Sequence, residues 1–239
     1  MKLSIIIPVF NEANTVEELV GKVLAVDISP LEKEVIVVES NSTDGSRELV
    51  SKMEKTLALK VVYQERPRGK GNALKDGLKA ASGDIILIQD ADLEYDVNDY
   101  RELLKPILEG RAAFVLGSRR IGKDWKIRKF ITDKFYAQAI NFGAEIYTTL
   151  FNVLYGVRLT DPATMYKVFK RECLAGIEFK SNYFELDWEI VAKFIRKGFI
   201  PLEEPVNYAS RSSAEGKKIR FFRDGFLVFW AIVRFRFLD

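Results

Sequence analysis

The sequence contains no histidine and only one cysteine, Cys173, among its 239 residues. Without histidine, the chain has no imidazole for zinc ligation, for a Ser-His or Cys-His nucleophile pair, or for acid–base chemistry near neutral pH. A single cysteine excludes a disulfide within the chain and is typical of a reducing compartment. Any catalysis must therefore use carboxylates, Lys and Arg side chains, backbone groups or a metal ion.

Long apolar runs and a strong net charge are also lacking. The apolar N-terminus is interrupted at Pro8, which makes it too short for a signal peptide, and no stretch reaches the roughly 18 to 20 apolar residues that span a bilayer. The net charge is only +3, so we expect no nucleic-acid partner. With 48% hydrophobic and 30% charged residues, the chain is predicted to fold around a sizeable core.

Apolar periodicity divides the first half of the chain into alternating strands and helices. Short β-branched runs predict buried strands, and apolar residues spaced by three and four predict helices. The predicted strands are Leu3–Ile7, Glu34–Glu39, Leu59–Tyr63, Asp84–Gln89 and Ala112–Gly117, and the predicted helices are Asn14–Val26, Asp44–Glu54, Gly71–Ala81 and Val97–Glu109. The alternation predicts an α/β fold, Rossmann-like, with a mostly parallel sheet and helices on both faces.

The second half is rich in aromatic and basic residues. Helical patterns cover Ile127–Tyr155 and Leu186–Lys197, a strand is predicted near Phe199–Glu203, and an apolar, basic tail follows. We expect one domain over residues 1–225 and a helical, aromatic-rich appendage over residues 226–239. Phe226–Val233 is apolar on all sides, so lipid, a partner subunit or the domain itself must cover it. The sequence leaves these three open, including a possible homo-oligomer.

Polar residues follow three of the predicted strands, at Pro8–Glu12, Glu39–Ser46 and Asp90–Glu94. Ligands of parallel sheets bind beyond the carboxyl ends of the strands, so these segments are expected to meet. Asp90 and Asp92, with Glu94 two residues on, offer the carboxylate oxygens that suit Mg²⁺ or Mn²⁺. Such a metal would neutralise a diphosphate leaving group. An isolated Asp-x-Asp is more often a solvated turn, and the convergence of three strand ends favours the metal site.

Two further loops give weaker signals. The Glu39–Ser46 turn could read a base or ribose by hydrogen bonds, although taken alone it is typical of a turn with a helix cap. Arg66–Gly71 is a basic, glycine-bearing loop that enters a helix, which favours a phosphate contact. It lacks the glycine–lysine–hydroxyl spacing of a Walker P-loop.

In their order along the chain, these segments resemble the family 2 inverting glycosyltransferases of the GT-A fold, and within them the dolichol- or polyprenyl-phosphate mannosyl and glucosyl transferases. The resemblance covers residues 3–225, and it is carried by the segments Ser4–Glu12, Glu39–Ser46, Gly69–Gly71, Gly83–Tyr95, Gly117–Arg119, Thr160–Pro162 and Glu204–Tyr208, then Arg211 and Glu215–Ile219.

The resemblance implies roles for individual residues. The implied nucleotide-binding residues are Pro8, Val9, Glu12, Glu39, Ser40, Lys70, Asp90 and Ala91. Those implied at the reaction centre are Asp92, Arg119 and Asp161, and the metal ligands are Asp90, Asp92 and Glu94. The residues expected to contact the acceptor and the phosphates are Arg128, Lys134, Arg211, Lys217 and Lys218.

The chain departs from this family at two places. Ser40 stands where the family often has a second acid, which leaves the choice between GDP and UDP open. Ala163–Lys167 replaces the Gly-Phe that commonly follows the Asp-Pro motif. Some relatives also carry membrane-spanning helices after the catalytic domain.

The leading hypothesis is a cytoplasmic enzyme, peripheral on the cytoplasmic face of a membrane. It would use Mn²⁺ or Mg²⁺ to move a hexose from a GDP- or UDP-sugar to a polyprenyl or dolichyl phosphate, an anion that needs no base. The alternative is a saccharide acceptor, for which Asp161, Glu185 or Asp187 is the candidate base. A third hypothesis is a nucleotide-sugar-binding subunit without activity, against which the intact Asp90 and Asp92 argue.

Overall fold

The computed structural model describes residues 1–122, 134–211 and 221–238. Its centre is a seven-stranded sheet with the strand order β3-β2-β1-β4-β6-β5-β7. All neighbouring pairs are parallel except those of β6, which lies antiparallel between β4 and β5. The strands are β1 Lys2–Val9, β2 Glu32–Glu39, β3 Leu59–Tyr63, β4 Ile85–Ile88, β5 Phe114–Ser118, β6 Lys167–Lys170 and β7 Leu202–Pro205.

Seven helices lie in the described part of the chain: α1 Val16–Ala25, α2 Ser46–Thr56, α3 Lys70–Ala80, α4 Tyr100–Leu108, α5 Lys134–Tyr155, α6 Leu186–Arg196 and α7 Phe221–Phe237. Two short 3₁₀ turns, Val97–Asp99 and Arg171–Leu174, precede α4 and follow β6. None of these helices has the length and apolar composition needed to cross a bilayer.

The central strands are buried because their side chains are apolar on both faces. Every residue of β4 is buried, and the apolar side chains of β1 from Leu3 to Ile7 are fully inaccessible. A strand with two buried faces must be covered by helices on each, as is usual for parallel sheets. The prediction of a mostly parallel α/β sheet is confirmed.

Strand β6 is the main feature that the periodicity did not predict. It is only four residues long and has a lysine at each end, so it shows no apolar run. Its pairing is tertiary, because Phe169 lies opposite Ile86 of β4 on one side and Phe114 of β5 on the other. The last strand was also misplaced: it was expected near Phe199–Glu203, and it begins at Leu202.

The tail is neither wholly buried nor wholly exposed. Helix α7 packs on α5 and α6, and it buries Ala231, Ile232 and Phe235 against the domain. Its opposite face carries exposed apolar side chains, described below. The domain therefore covers one face of the apolar run, and cover of the other face by lipid or a partner subunit stays a prediction.

Gly77 sets how closely α3 approaches the sheet. A Cβ at this position would overlap Cγ2 of Ile6 in β1 and lie 3.1 Å from Cγ2 of Val38 in β2. At Gly21, which lies within α1, nothing would come within 4 Å of an added Cβ. A methyl group added at residue 77 would therefore clash with the sheet, whereas one added at residue 21 would have room.

We expect Gly77→Ala to lower the free energy of unfolding by about 1–3 kcal/mol, because overpacking outweighs the better helix propensity of alanine. The matched variant Gly21→Ala should raise it by roughly 0.5–1 kcal/mol, since only the propensity changes there. Urea denaturation measures both. A stabilised Gly77→Ala variant would contradict the close approach of α3 to the sheet.

Candidate functional site

A cavity of about 940 Å³ opens at the carboxyl ends of β1, β2 and β4. The three polar strand ends do converge there, as the parallel topology predicted. The predicted site residues that line it are Pro8, Val9, Glu12, Ser40, Lys70, Asp90, Ala91, Asp92, Glu94, Arg119 and Arg211. Glu39 and Asp161 are not among the lining residues.

The acidic turn at the end of β4 is held by a buried amide. The side-chain oxygen of Gln89 accepts hydrogen bonds from the hydroxyls of Tyr100 and Tyr166, at 2.9 and 2.8 Å. Its amide nitrogen donates to the carbonyl of Asp90 at 2.9 Å. The backbone then reverses through Leu93, whose φ of 60° is unusual for a residue with a side chain. Gln89 and Leu93 thereby aim the acidic side chains into the cavity.

These carboxylates form a concentrated negative charge. Burial, followed by the neighbouring charges of Asp90 and Glu94, raises the pKa of Asp92 to about 7, although Arg211 and Lys70 oppose the shift. A carboxyl group resists ionisation when it is desolvated and surrounded by like charge. The turn therefore favours a bound cation, and carboxylate oxygens are a donor set that suits Mg²⁺ or Mn²⁺.

Cationic side chains balance this charge in the structure. Lys70 pairs with Asp90, and the carboxylates of Asp90 and Asp187 raise the pKa of Lys70 despite its burial. Arg211 donates to both oxygens of Glu12, at 2.9 and 3.1 Å, and to Asp92 at 3.1 Å. Within the described residues no three carboxylates are arranged as a ready-formed metal site. In this structure the positive charge at the acidic turn comes from Lys70 and Arg211.

The segment 206–211, which follows β7 and is called the strap here, brings Arg211 to the site. Its backbone is fastened along the acidic turn: Ala209 donates to the carbonyl of Glu94 at 2.8 Å, and Arg211 donates to the Glu94 carboxylate at 2.8 Å. The strap also supplies Tyr208, whose hydroxyl donates to Glu94 at 2.6 Å. The sequence predicted Arg211 here, whereas Tyr208 ends the Glu204–Tyr208 motif but was assigned no role of its own.

Arg119 and Asp161 form a buried, two-pronged ion pair. Nε and Nη2 of Arg119 donate to the two carboxylate oxygens of Asp161 at 2.6 and 2.7 Å, and the Arg119 backbone amide donates at 3.1 Å. Although burial opposes it, the Arg119 guanidinium holds the pKa of Asp161 below its usual value. Arg119 also lies over the ring of Tyr208, 5.2 Å from its centroid. Asp161 is thus engaged in holding Arg119, which lines the cavity.

Glu39 faces its own loop. It is fully buried and accepts from the backbone amides of Asn41 and Ser42, at 3.1 and 2.7 Å, and from Arg47 at 2.9 Å. Because its carboxylate bonds to the loop and to Arg47 in the first turn of α2, Glu39 shapes the turn that presents Ser40 to the cavity. Its predicted contact with the nucleotide stays a prediction.

Three helices of the second half also line the cavity, with residues that the sequence did not assign to the site. These residues are Gly143 and Tyr147 of α5, Trp188 of α6, and Arg223, Phe226 and Val228 of α7. Arg223, Phe226 and Val228 belong to the apolar, basic tail and the others to two helical patterns, so nothing in the sequence marked them as site residues. The cavity thus joins a charged end at the acidic turn to a more apolar end formed by α5, α6 and α7.

Asp187 is the one candidate base that lines the cavity. Burial raises its pKa to about 6, although Lys167 and Lys70 oppose the shift. The Glu185 carboxylate instead accepts from the backbone amides of Asn182 and Tyr183, at 3.0 and 3.2 Å, as a helix-capping group does. Asp187 therefore has the better placement of these two for accepting a proton.

Some predicted acceptor contacts fall outside the described residues. Arg128 lies in the gap 123–133, and Lys217 and Lys218 lie in the gap 212–220. Lys134 begins α5, and its side chain is not described. Their predicted roles stay predictions.

The family model for glycosyl transferase family 2 matches residues 4–176. This match spans the sheet from β1 to β6 and the acidic turn, so the chain belongs to glycosyl transferase family 2. The predicted family is confirmed, and with it the expectation of a glycosyltransferase at the level of the family.

Two relatives show the extent of the similarity. The chain is 28% identical over 218 residues to a dolichol-phosphate mannosyltransferase of Pyrococcus furiosus, which covers 91% of this chain and 59% of that protein. It is 26% identical to the low-salt glycan biosynthesis hexosyltransferase Agl6 of Haloferax volcanii, over 99% of this chain and 53% of that protein. The chain thus spans somewhat more than half the length of these relatives.

A solved structure supports the fold. Glucosyl-3-phosphoglycerate synthase from Mycobacterium tuberculosis, in complex with Mn²⁺, UDP and phosphoglyceric acid, superposes with a TM-score of 0.72 at 20% identity. The superposition covers 100% of this chain and 79% of that one. The predicted GT-A fold is confirmed.

We expect Asp161→Ala to lower the free energy of unfolding by about 3–5 kcal/mol, because it leaves the buried Arg119 guanidinium unpaired. The control is Glu18→Ala, which removes an exposed partner of Lys22 and should cost under about 1 kcal/mol. Chemical denaturation monitored by circular dichroism measures both variants. Equal, small losses would mean that the Asp161 pair does not stabilise the folded chain.

Proposed function

We propose that this chain is a metal-dependent inverting hexosyltransferase that takes its sugar from a nucleotide diphosphate and delivers it to a polyprenyl or dolichyl phosphate. The observation that carries the proposal is the acidic turn of Asp90 and Asp92, which faces a cavity shared with Lys70, Arg119 and Arg211. A diphosphate with its metal ion carries both signs of charge, and this end of the cavity offers both.

The donor end is assigned to the strand ends of β1, β2 and β4. Asp90, Asp92 and Glu94 would hold Mn²⁺ or Mg²⁺, which when bound neutralises charge on the diphosphate leaving group. Lys70 and Arg211, which now pair with these carboxylates, would turn to phosphate oxygens, since guanidinium and ammonium groups bind phosphate well. Mn²⁺ and UDP in the mycobacterial synthase support a divalent metal. Ser40 leaves the choice between UDP and GDP to experiment.

The acceptor end is assigned to the part of the cavity that α5, α6 and α7 line. A phosphate monoester of a lipid is already an anion, so it needs orientation more than deprotonation. Arg119 and Arg223 line the cavity beside the apolar side chains of Tyr147, Trp188 and Phe226, which suits an anion with a hydrocarbon chain. The likeness to a dolichol-phosphate mannosyltransferase supports this acceptor.

A saccharide acceptor is the second candidate, and the placement of Asp187 favours it. A sugar hydroxyl needs a base, and a buried carboxylate whose pKa is raised to about 6 is suited to accept a proton near neutral pH. In this alternative the donor site is unchanged. The two candidates differ only in which acceptor binds at the end of the cavity that α5, α6 and α7 line.

We expect the purified chain to transfer a hexose from one GDP- or UDP-sugar of a panel to a short polyprenyl phosphate when Mn²⁺ is present. EDTA should abolish turnover, because the acidic turn would lose its cation. Asp92→Asn should lower turnover at least about 100-fold, since a carboxylate ligand of the metal is lost. The chain should stay folded, because little of the core changes. The amount of product formed over time, measured by chromatography, gives the rates.

The control is Asp96→Asn, which changes a nearby carboxylate that caps the 3₁₀ turn before α4. This variant should retain near-normal turnover. Full activity in EDTA would exclude the metal, and transfer to saccharides alone would exclude the lipid phosphate. Nucleotide binding without turnover of any donor would favour the non-catalytic subunit.

An apolar stripe on two adjacent helices supports a peripheral place at a membrane. On α7 the exposed side chains are Phe226, Phe229, Trp230 and Phe237, and on α5 they are Phe142, Ile146 and Val153. Their spacing places each set on one helical face. Arg234 and Arg236 lie on α7 as well and would attract anionic lipids. A stripe of this kind is typical of helices that lie in the membrane interface.

We expect Phe229→Ser combined with Trp230→Ser to weaken binding to anionic lipid vesicles at least about 10-fold, because two apolar anchors are lost. Vesicle flotation measures the bound fraction. The control is Leu108→Ser combined with Ile200→Ser, which changes exposed apolar residues outside the stripe and should leave binding unaltered. The stripe is instead a subunit contact if the wild-type chain does not bind vesicles and sediments as a dimer, while the Phe229→Ser, Trp230→Ser variant sediments as a monomer.

A further inference from the structure

We propose that Glu203 is a positioning residue that fixes Arg119 from a distance, through the turn formed by Thr160 and Asp161. Glu203 is not among the residues that line the cavity. The inference rests on the proposed function in one respect only, which is that Arg119 contacts the reacting groups.

The carboxylate of Glu203 holds the turn by its backbone. One oxygen accepts from the backbone amide of Asp161 at 2.9 Å, and the other accepts from the amide and the hydroxyl of Thr160 at 2.7 and 3.0 Å. Glu203 lies on β7, opposite Leu116 of β5 in the parallel register. A rigid sheet position therefore anchors a loop that is 42 residues away in sequence.

The turn of Thr160 and Asp161 holds Arg119. Asp161 accepts three hydrogen bonds from Arg119, two from the guanidinium and one from the backbone amide. The hydroxyl of Thr160 also lies 2.7 Å from that of Ser118, the residue before Arg119. Both ends of this network are tied to the sheet, at β7 and at the end of β5. The guanidinium is left with little freedom to move once Glu203 is in place.

This arrangement requires a carboxylate. Three donors converge on two oxygens, and a carboxylate accepts at both. A glutamine has the same shape but would turn its amide nitrogen toward one set of N–H donors. The turn would then shift to avoid two facing donors. Because a displacement of about 1 Å at a reacting group can cost roughly 100-fold in rate, a small shift at Asp161 is expected to matter.

The neighbouring Glu204 offers a matched control. Successive residues of a strand point to opposite faces of the sheet, so the two glutamates share a strand and a charge but not a direction. Glu203 makes the contacts above, and among the described residues none of them involves Glu204. Glu203→Gln and Glu204→Gln thus differ in one respect, the network to Arg119.

The kinetic test compares these two variants in the wild-type chain and in an Arg119→Lys background. In the wild-type chain we expect Glu203→Gln to lower kcat roughly 10- to 100-fold with less change in the KM for the donor, and Glu204→Gln to change neither more than about 2-fold. In the Arg119→Lys background Glu203→Gln should cost at most about 2-fold more, because the oriented guanidinium is already gone. An undiminished loss there would overturn the proposal.

A second measurement does not depend on turnover. In ¹⁵N-arginine-labelled protein, the Nε–H resonance of Arg119, assigned through Arg119→Lys, should be sharp and protected from solvent exchange because it is buried against Asp161. Glu204→Gln should preserve this signal, and Glu203→Gln should shift it and speed its exchange at least about 10-fold. An unchanged signal would overturn the proposal even if the chain proved to transfer no sugar.

Thr160→Val supplies a milder change if Glu203→Gln does not fold. It removes the hydroxyl that bonds Glu203 and Ser118 but keeps the backbone amides of the turn. We expect the same pattern with a smaller size, about 3- to 10-fold in kcat and a partial loss of exchange protection. A Thr160→Val variant with wild-type kcat and an unchanged Arg119 signal would count against the network.

Discussion

Three carboxylates of one short turn, those of Asp90, Asp92 and Glu94, lie close together at the end of a buried strand, and their mutual repulsion has to be balanced. Water cannot do this fully in a partly enclosed cavity, because desolvation makes each charge costlier. Lys70 and Arg211 supply opposite charge from two other parts of the chain. The same imbalance makes the turn suited to a metal ion and a diphosphate. The folded chain and the proposed donor complex thus both depend on positive charge at this turn.

The sheet explains how the balancing groups reach the turn. Parallel strands bring the ends of β1, β2 and β4 to one edge of the sheet. Later in the chain, β6 enters the sheet antiparallel between β4 and β5. The residues just before β6 include Asp161, and the strap after β7 returns across the acidic turn. Glu12 and Arg211 meet although 199 positions separate them. The proposed donor end and the proposed acceptor end are therefore built from different parts of the chain on one sheet.

The cavity has a charged end and a more apolar end. The charged end contains the carboxylates and their cations, whereas α5, α6 and α7 form the other end, with Trp188 and Phe226 among its lining residues. The outer faces of α5 and α7 carry the exposed apolar stripe. The same two helices thus line the proposed acceptor site and form the proposed membrane contact. A lipid-linked acceptor would meet both features in turn.

The sequence by itself determined the features that depend on local pattern. Alternating β-branched runs and amphipathic helices indicated the parallel sheet, and the position of Asp90 and Asp92 after a buried strand placed the acidic turn at its carboxyl edge. The ordered motifs were enough to identify the family. These predictions succeeded because periodicity reports burial directly, and because ligand sites of parallel sheets lie at one edge.

Only the tertiary structure decided which groups pair. No local signal marks β6 as a strand, directs Glu39 into its own loop, or joins Asp161 to Arg119 and Glu203. The sequence indicated that Asp161 and Arg119 belong to the site. Only the structure shows that Asp161 holds Arg119 in place through a buried ion pair. Ion pairs and buried hydrogen bonds form between residues far apart along the chain, and packing selects the partners. The sequence gives the charged residues, and the fold determines which of them form pairs.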